Sequence, residues 1–276
     1  MKPGVFFSVV LYAFAGAVFT AAGVNQPGFK AIHHFAPQHA ILSVPVLCYH
    51  NIKANSTGHN TLYTISINRF KEQVRMLKDS GYSSLLPWQL YDYYHSGTPI
   101  PSKSIIISFD DARVEDFLIA TPVLKDHGFR AVFFIMTVAI GKKGYMSAAQ
   151  IRELSDSGNA IGLHTYNHPD LRKLSTKDWS LQIDKPAALL KSITAKPVTS
   201  FAYPFGAWNA DVVAQLKARG IAIAFQLDGK TSSADPVYTI RRLIPDGTWT
   251  GTKLYKEIQL FSTKRPGQPY NNHPSG

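Results

Sequence analysis

Cysteine is almost missing from this chain: its 276 residues hold one, Cys48, inside the apolar run "VPVLCY" at 44–49. That excludes a disulfide framework and a lipid-attachment cysteine after the N-terminal segment, and it makes Cys48 a buried core thiol. Acidic residues are scarce too, 18 against 29 Lys and Arg, giving a net charge of +11. There is no G-x-S-x-G nucleophile elbow, and "GKKG" at 141–144 does not have the spacing of a phosphate-cradling loop. A positive balance of this size suits nucleic acid, an anionic membrane or an anionic cell-wall polymer. The cations are scattered apart from short groups such as "GKKG", so a diffuse positive field, able to hold the protein loosely at an anionic envelope, is the expected reading.

The chain opens with "MKPGVFFSVVLYAFAGAVFTAAG", one lysine ahead of an uncharged apolar stretch that ends in small residues. This is the pattern of a secretory signal peptide over 1–23, and residues 5–22 are just long enough to stay as a membrane anchor. An exported protein is expected, and nucleic acid is not expected as a partner. Residues 24–43 read as a spacer, 44–261 as one folded domain, and 262–276 as a flexible tail.

Within the domain, strand-like and helix-like runs alternate. Strands are predicted at 44–49, 104–109, 131–138, 160–163, 199–202 and 221–225. Helices are predicted from Asn68 as cap to Gly81, from Pro87, over 114–127, from the capping pair Ser147 and Gln150, from Ser175 and Asp178 to about residue 193, and over 209–219. Near-continuous apolar strands separated by helices indicate an α/β protein whose parallel sheet is covered on both faces or closed into a barrel.

Polar residues follow the strands. His50 follows the first, Asp110 and Asp111 follow 104–109, His164 follows 160–163, and "YPFG" follows 199–202. In a parallel barrel these positions share the C-terminal rim, which carries the active site. In "HTYNHPDL" (164–171), His164 and His168 are four apart, yet Pro169 pushes His168 away from helical geometry. Alone, the pair is either half a metal site or a polar surface turn. With a carboxylate on the same rim it makes a three-ligand set with open positions, the pattern of a catalytic zinc site. Adjacent aspartates do not easily reach one atom, so one can bind metal while the other serves as base. "FDDA" read by itself is equally an acidic helix-capping turn.

"SFDDA", "HTYNHPDL" and "FAYPFG", in that order and spacing, resemble the polysaccharide deacetylases of carbohydrate esterase family 4, the NodB-homology domain. "PVLCYHNI" and "FAYPFG" are most similar to the poly-N-acetylglucosamine deacetylases of biofilm export systems. The resemblance spans about 44–244 and implies a distorted parallel (β/α) barrel of about seven strands. It implies Asp110 as general base, Asp111, His164 and His168 as ligands of a divalent metal such as Zn2+, the Phe205 N–H as oxyanion donor, and His50 as acid. The implied substrate is an acetylated polysaccharide, poly-N-acetylglucosamine ahead of peptidoglycan, chitin or acetylated xylan. A non-catalytic polysaccharide-binding protein is the reading of another class. Tyr203, Trp208 and Trp249 are candidates to stack on sugar rings, or core aromatics.

Three residues depart from the family pattern. Ala112 replaces a usual Gly, so its loop must avoid a positive φ or carry strain. Ala202 replaces an arginine that orients the base, for which Arg241 or Arg242 could substitute. Arg113 stands where an aromatic residue is frequent. Pro169 is expected to hold His168 extended.

Overall fold

The computed structural model describes residues 44–54, 60–227 and 229–263. The expected leader, the spacer through residue 43 and residues 264–276 of the expected tail lie outside the described residues. Among the described residues, no helix is long and apolar enough to cross a membrane.

The chain begins with β1 (Val46–Tyr49), β2 (Asn51–Lys53) and β3 (Thr64–Ser66), then α1 (Ile67–Asp79), β4 (Ser83–Ser84) and α2 (Pro87–Ser96). It continues through β5 (Ser104–Phe109), α3 (Thr121–Asp126), β6 (Val132–Ile135), α4 (Ala148–Asp156) and β7 (Ala160–Leu163). The last elements are α5 (Lys185–Thr194), β8 (Ser200–Ala202), α6 (Ala210–Ala218), β9 (Ile223–Phe225) and α7 (Gly251–Thr263). Seven strands form one parallel sheet in the order β1-β5-β6-β7-β8-β9, with β4 also on β5, and β2 pairs with β3.

The sheet curls, and residues 240–243 bridge its two edges. Ile240 N–H donates to Ala224 O (3.1 Å) and Gln226 N–H to Ile240 O (2.8 Å) on the β9 side. Leu243 N–H donates to Val46 O and Cys48 N–H to Leu243 O, both 2.8 Å, on the β1 side. The expected seven-stranded (β/α) barrel is therefore the fold, with a short extra segment closing it.

Side chains alternate along each strand, so one parity faces the barrel interior and the other faces the helices. Val46, Ile106, Val132, Phe134, Ala160, Ala202, Ile223 and Phe225 pack inside. Leu47, Tyr49, Ile107, Phe109, Phe133, Ile135, Leu163, Phe201 and Tyr203 pack in the outer layer beneath the helices. The interior parity continues to Cys48, Ser108, Asp110, His164 and Arg242 at the C-terminal end. Gly162 belongs to the same file because a Cβ there would sit 2.4 Å from the Phe134 ring.

Several expected elements change. Ser66, not Asn68, caps α1, its hydroxyl accepting from Arg69 N–H. The two helices predicted over 114–127 and 175–193 each contain a π turn, Asp116–Ala120 and Ser180–Asp184. In both cases a proline follows, Pro122 or Pro186. Its ring clashes with the carbonyl four residues back and it has no N–H to bond there, so the preceding Thr121 or Lys185 N–H reaches back five residues, to Asp116 O or Ser180 O. The stretch 131–138 is a strand only over β6 and then turns. Helix α7 was not anticipated and runs two residues into the expected tail. It packs Leu254, Ile258 and Phe261 inward against α1, and Gly251 N–H donates to Glu72 Oε1 (2.9 Å).

Phe134, fully buried, has the Phe225 ring and the Arg242 guanidinium each 5.5 Å from its ring. Phe134→Ala should cost about 3–5 kcal/mol in urea unfolding, because the closed interior cannot collapse onto the void.

Candidate active site and metal centre

At the C-terminal end of the barrel, two three-residue groups meet. One oxygen or nitrogen from each of Asp111, His164 and His168 lies within 4.8 Å of the others, and the same holds for atoms of Cys48, His50 and Asp110. His164 joins the groups: its Nε2 is 3.7 Å from Asp111 Oδ1 and 3.9 Å from Asp110 Oδ2. The structure thus brings together all five of the predicted metal and proton-transfer residues.

His164 is oriented by its other nitrogen. Nδ1 lies 2.8 Å from Ala202 O, which can only accept, so Nδ1 carries the proton and the Nε2 lone pair faces the carboxylates. Burial, only partly offset by Asp110 and Asp111, lowers its proton affinity and keeps the ring neutral. One carboxylate and two imidazoles with this tautomer fit a divalent cation that keeps open positions.

Asp110 is the most constrained group. Arg242 grips it with two hydrogen bonds, Nη1 to Oδ1 at 2.7 Å and Nη2 to Oδ2 at 2.8 Å, while its Nε donates to Gln226 O (3.0 Å). The Cys48 thiol adds a donor 3.5 Å from Oδ2. Burial alone would raise this carboxyl. The Arg242 charge and hydrogen bonds, with His164 and His50, hold it instead well below the usual carboxylate range. Of the two candidates to replace the arginine missing at Ala202, the structure selects Arg242. Ala202 and Arg242 face the same interior, and the small side chain leaves that space to the guanidinium.

His50 is half-buried, its Nδ1 4.0 Å from Cys48 Sγ and its ring edge-on to Tyr63 at 5.1 Å. Burial lowers its proton affinity, and Asp110 and Asp111 partly restore it. Asp116 shows what burial does without a hydrogen-bonded cation. Neither of its buried oxygens has a hydrogen-bond partner, and burial, then Glu115 and Asp111, pushes its carboxyl well up, only partly offset by Arg113.

Among the described residues, five of the six non-glycine residues with left-handed φ lie in these loops: Asp111 (73°), Ala112 (65°), Thr165 (64°), His168 (65°) and Phe205 (59°). Of the two outcomes expected at Ala112, the structure has the strained positive φ, and Met146 N–H, donating to its carbonyl (2.9 Å), fixes the turn. One expectation is corrected here. His168 is left-handed rather than extended: its N–H donates to Thr165 Oγ1 (2.9 Å), and Gln182 Oε1 accepts from Tyr166 and Asn167 N–H beside it.

The aromatic candidates separate. Tyr203 is not a sugar platform: it has outer-layer parity, is buried, and donates its hydroxyl to Tyr238 O (2.9 Å). Trp208 and Trp249 are half-buried against the core, and Trp208 Nε1 donates to Gln226 Oε1 (3.1 Å). Phe205 is 65% exposed with its ring 4.5 Å from His168, so its side chain as well as its backbone borders the site. Tyr63, Cys48 and Arg113, whose guanidinium lies 4.7 Å over the Tyr145 ring, complete the surroundings. Tyr63 had no motif to reveal it, whereas strand parity in the sequence does point Cys48 inward.

Residues 97–224 match the family described as polysaccharide deacetylase. The chain is 28% identical over 202 residues to the poly-beta-1,6-N-acetyl-D-glucosamine N-deacetylase of Staphylococcus aureus, covering 67% of this chain and 69% of that one. Its fold is similar to that of a deacetylase of Streptococcus pyogenes solved with acetate (TM-score 0.72, 22% identity, 78% of this chain and 97% of that one). It is also similar to IcaB of Ammonifex degensii (TM-score 0.66, 25% identity, 79% and 97%). The barrel and its rim define a hydrolase of the carbohydrate esterase class. Over residues 97–224 the chain carries a polysaccharide deacetylase domain, of the NodB type of carbohydrate esterase family 4.

Arg242→Met should destabilise the protein by about 3–5 kcal/mol at neutral pH, since it leaves a buried charge unpaired. Because the folded Asp110 carboxyl lies below its unfolded value, the pair's contribution is complete above about pH 4 and is lost as pH falls through the folded value. The deficit of the variant, read by thermal unfolding, should therefore shrink below pH 4. Ala112→Gly should raise stability by about 1 kcal/mol, the left-handed strain relieved less the extra entropy of an unfolded glycine.

Proposed function

We propose that the protein is a divalent-metal-dependent N-deacetylase of an N-acetylglucosamine-containing polysaccharide, with poly-N-acetylglucosamine as the favoured substrate. The observation that carries this reading is a carboxylate, Asp110, kept ionised by Arg242 beside a neutral-histidine and carboxylate group suited to a cation. The names of the Staphylococcus aureus and Ammonifex degensii relatives support the polymer, and the leader-like residues 1–23 support export to the cell surface, periplasm or medium.

In this reading Asp111, His164 and His168 hold the metal, of which Zn2+ suits the nitrogen-rich set best. The cation, when bound, supplies Lewis acidity to the acetyl carbonyl and to a water. Asp110 accepts a proton as the water oxygen bonds to the acetyl carbon. The bidentate grip of Arg242 fixes which way the carboxylate points, so this base needs no reorientation. The backbone N–H of Phe205, on the exposed turn beside His168, donates to the oxyanion that forms. His50 gives its proton to the sugar nitrogen as the C–N bond breaks, releasing acetate and a free amine. Burial lowers the proton affinity of this ring, and the Asp110 and Asp111 carboxylates partly restore it, which favours the protonated form the step needs.

Acetate release from β-1,6-linked N-acetylglucosamine oligomers tests the proposal. Chelation should abolish release and Zn2+ should restore it. Asp110→Asn should lower kcat by about 10²–10⁴ with bound metal unchanged, while His164→Ala should lose the metal itself. Chelator-resistant turnover, or full activity in Asp110→Asn, would sink the mechanism.

A further inference from the structure

The rim next to the site carries cations that the deacetylation chemistry leaves unused. The loop after β6, residues 136–147, holds Lys142 and Lys143 and no acidic residue. Both lysines are exposed, between Gly141 and Gly144 with φ of +77° and +83°. This loop is tied to the strained loop of the two aspartates: Val114 N–H donates to Gly144 O (3.1 Å), Met146 N–H to Ala112 O, and Arg113 bridges Tyr145. Arg113 adds a third cation from the other strand of that junction. Its guanidinium is propped on the Tyr145 ring, and its buried Nε has no hydrogen-bond partner. Among the described residues, no carboxylate pairs with any of the three.

We propose that Arg113, Lys142 and Lys143 form a lip that binds an anionic group, carboxylate or phosphate, on a sugar neighbouring the one that is deacetylated. The proposal rests on the deacetylase reading and extends its substrate class from the neutral polymer to N-acetylglucosamine-containing glycans that also bear negative charge. Among the described residues, these three cations on one hydrogen-bonded junction have no salt-bridge partner, with only Arg113 acting on the buried Asp116, and a neutral homopolymer gives them nothing. An oxyanion answers them: a planar guanidinium donates in parallel to two oxygens, and flexible ammonium groups add charge from the side. An overall charge of +11 draws such a polymer toward the protein before contact.

The test uses the full chain, with fluorescein-labelled oligogalacturonate as the carboxylate probe and a labelled glycerol-phosphate oligomer as the phosphate probe. Fluorescence anisotropy should show binding of at least one, and which one binds identifies the group. Raising salt from about 0.05 to about 0.5 M should weaken it strongly. Lys142→Ala/Lys143→Ala should weaken it at least tenfold, Lys142→Arg/Lys143→Arg should retain it, and turnover of the neutral N-acetylglucosamine oligomer should be the same in all three proteins. Binding of neither probe, binding that survives the double alanine substitution, or an equal loss of neutral-oligomer turnover would overturn the proposal. If the neutral oligomer is not turned over by the unaltered protein, the deacetylase reading fails while the anisotropy result still stands by itself.

Discussion

The rest of the site depends on one buried ion pair, Asp110 with Arg242. Both side chains are almost wholly out of water, at 3% and 0% exposure, where an unpaired charge would cost several kcal/mol. Asp116, six residues on, is buried just as deeply with no hydrogen-bonded cation, and its carboxyl is pushed well up. The two carboxyls shift in opposite directions because Arg242 grips only the first. Burial therefore does not determine which carboxylate can accept a proton, and the bidentate partner does. Since Arg242 is also anchored through Nε to Gln226 O and rests over Phe134, the orientation of the base is inherited from barrel packing.

Around that pair the backbone is strained where the side chains are useful. Each left-handed non-glycine residue costs on the order of 1–3 kcal/mol, and Asp111, Ala112, Thr165, His168 and Phe205 all adopt this conformation. A loop this costly persists only if hydrogen bonds hold it. Met146, Thr165 Oγ1 and the Gln182 amide supply them. The turn at Asp111 resolves the problem of adjacent aspartates: an extended chain would send them to opposite faces, while φ of 73° swings the second toward His164.

Much of this was legible in the sequence, and what was missed has physical causes. Apolar runs and the polar residues after them locate the barrel and its rim, because a buried parallel strand must be apolar until it ends. Strand parity carries more: counting in twos places Cys48, Asp110, His164 and Ala202 inside and Tyr203 outside, which excludes Tyr203 as a sugar platform. The left-handed turn at His168 was not legible, since nothing in "HTYNHPDL" marks it, and the one at Ala112 was only one of two alternatives; tertiary hydrogen bonds impose both against local preference. The π turns were open to view as helices carrying Pro122 and Pro186, and α7 as Leu254, Ile258 and Phe261 on one face.

The residues that complete the site come from both flanks of the segment that marks the family. Residues 97–224 include Asp110, Asp111, His164, His168 and Phe205, but neither His50 nor Arg242. His50 extends from β1, and Arg242 lies on the segment that pairs with β1 on one side and β9 on the other. The hydrogen bonds that seal the barrel thus deliver the guanidinium to Asp110, across 132 residues of sequence. Contacts of such separation form only after the intervening chain is ordered, because its loop-closure entropy has to be offset first. Until residues 240–243 dock, the interior lacks the cation that keeps Asp110 charged. Barrel closure is thus what keeps the base ionised once it is buried.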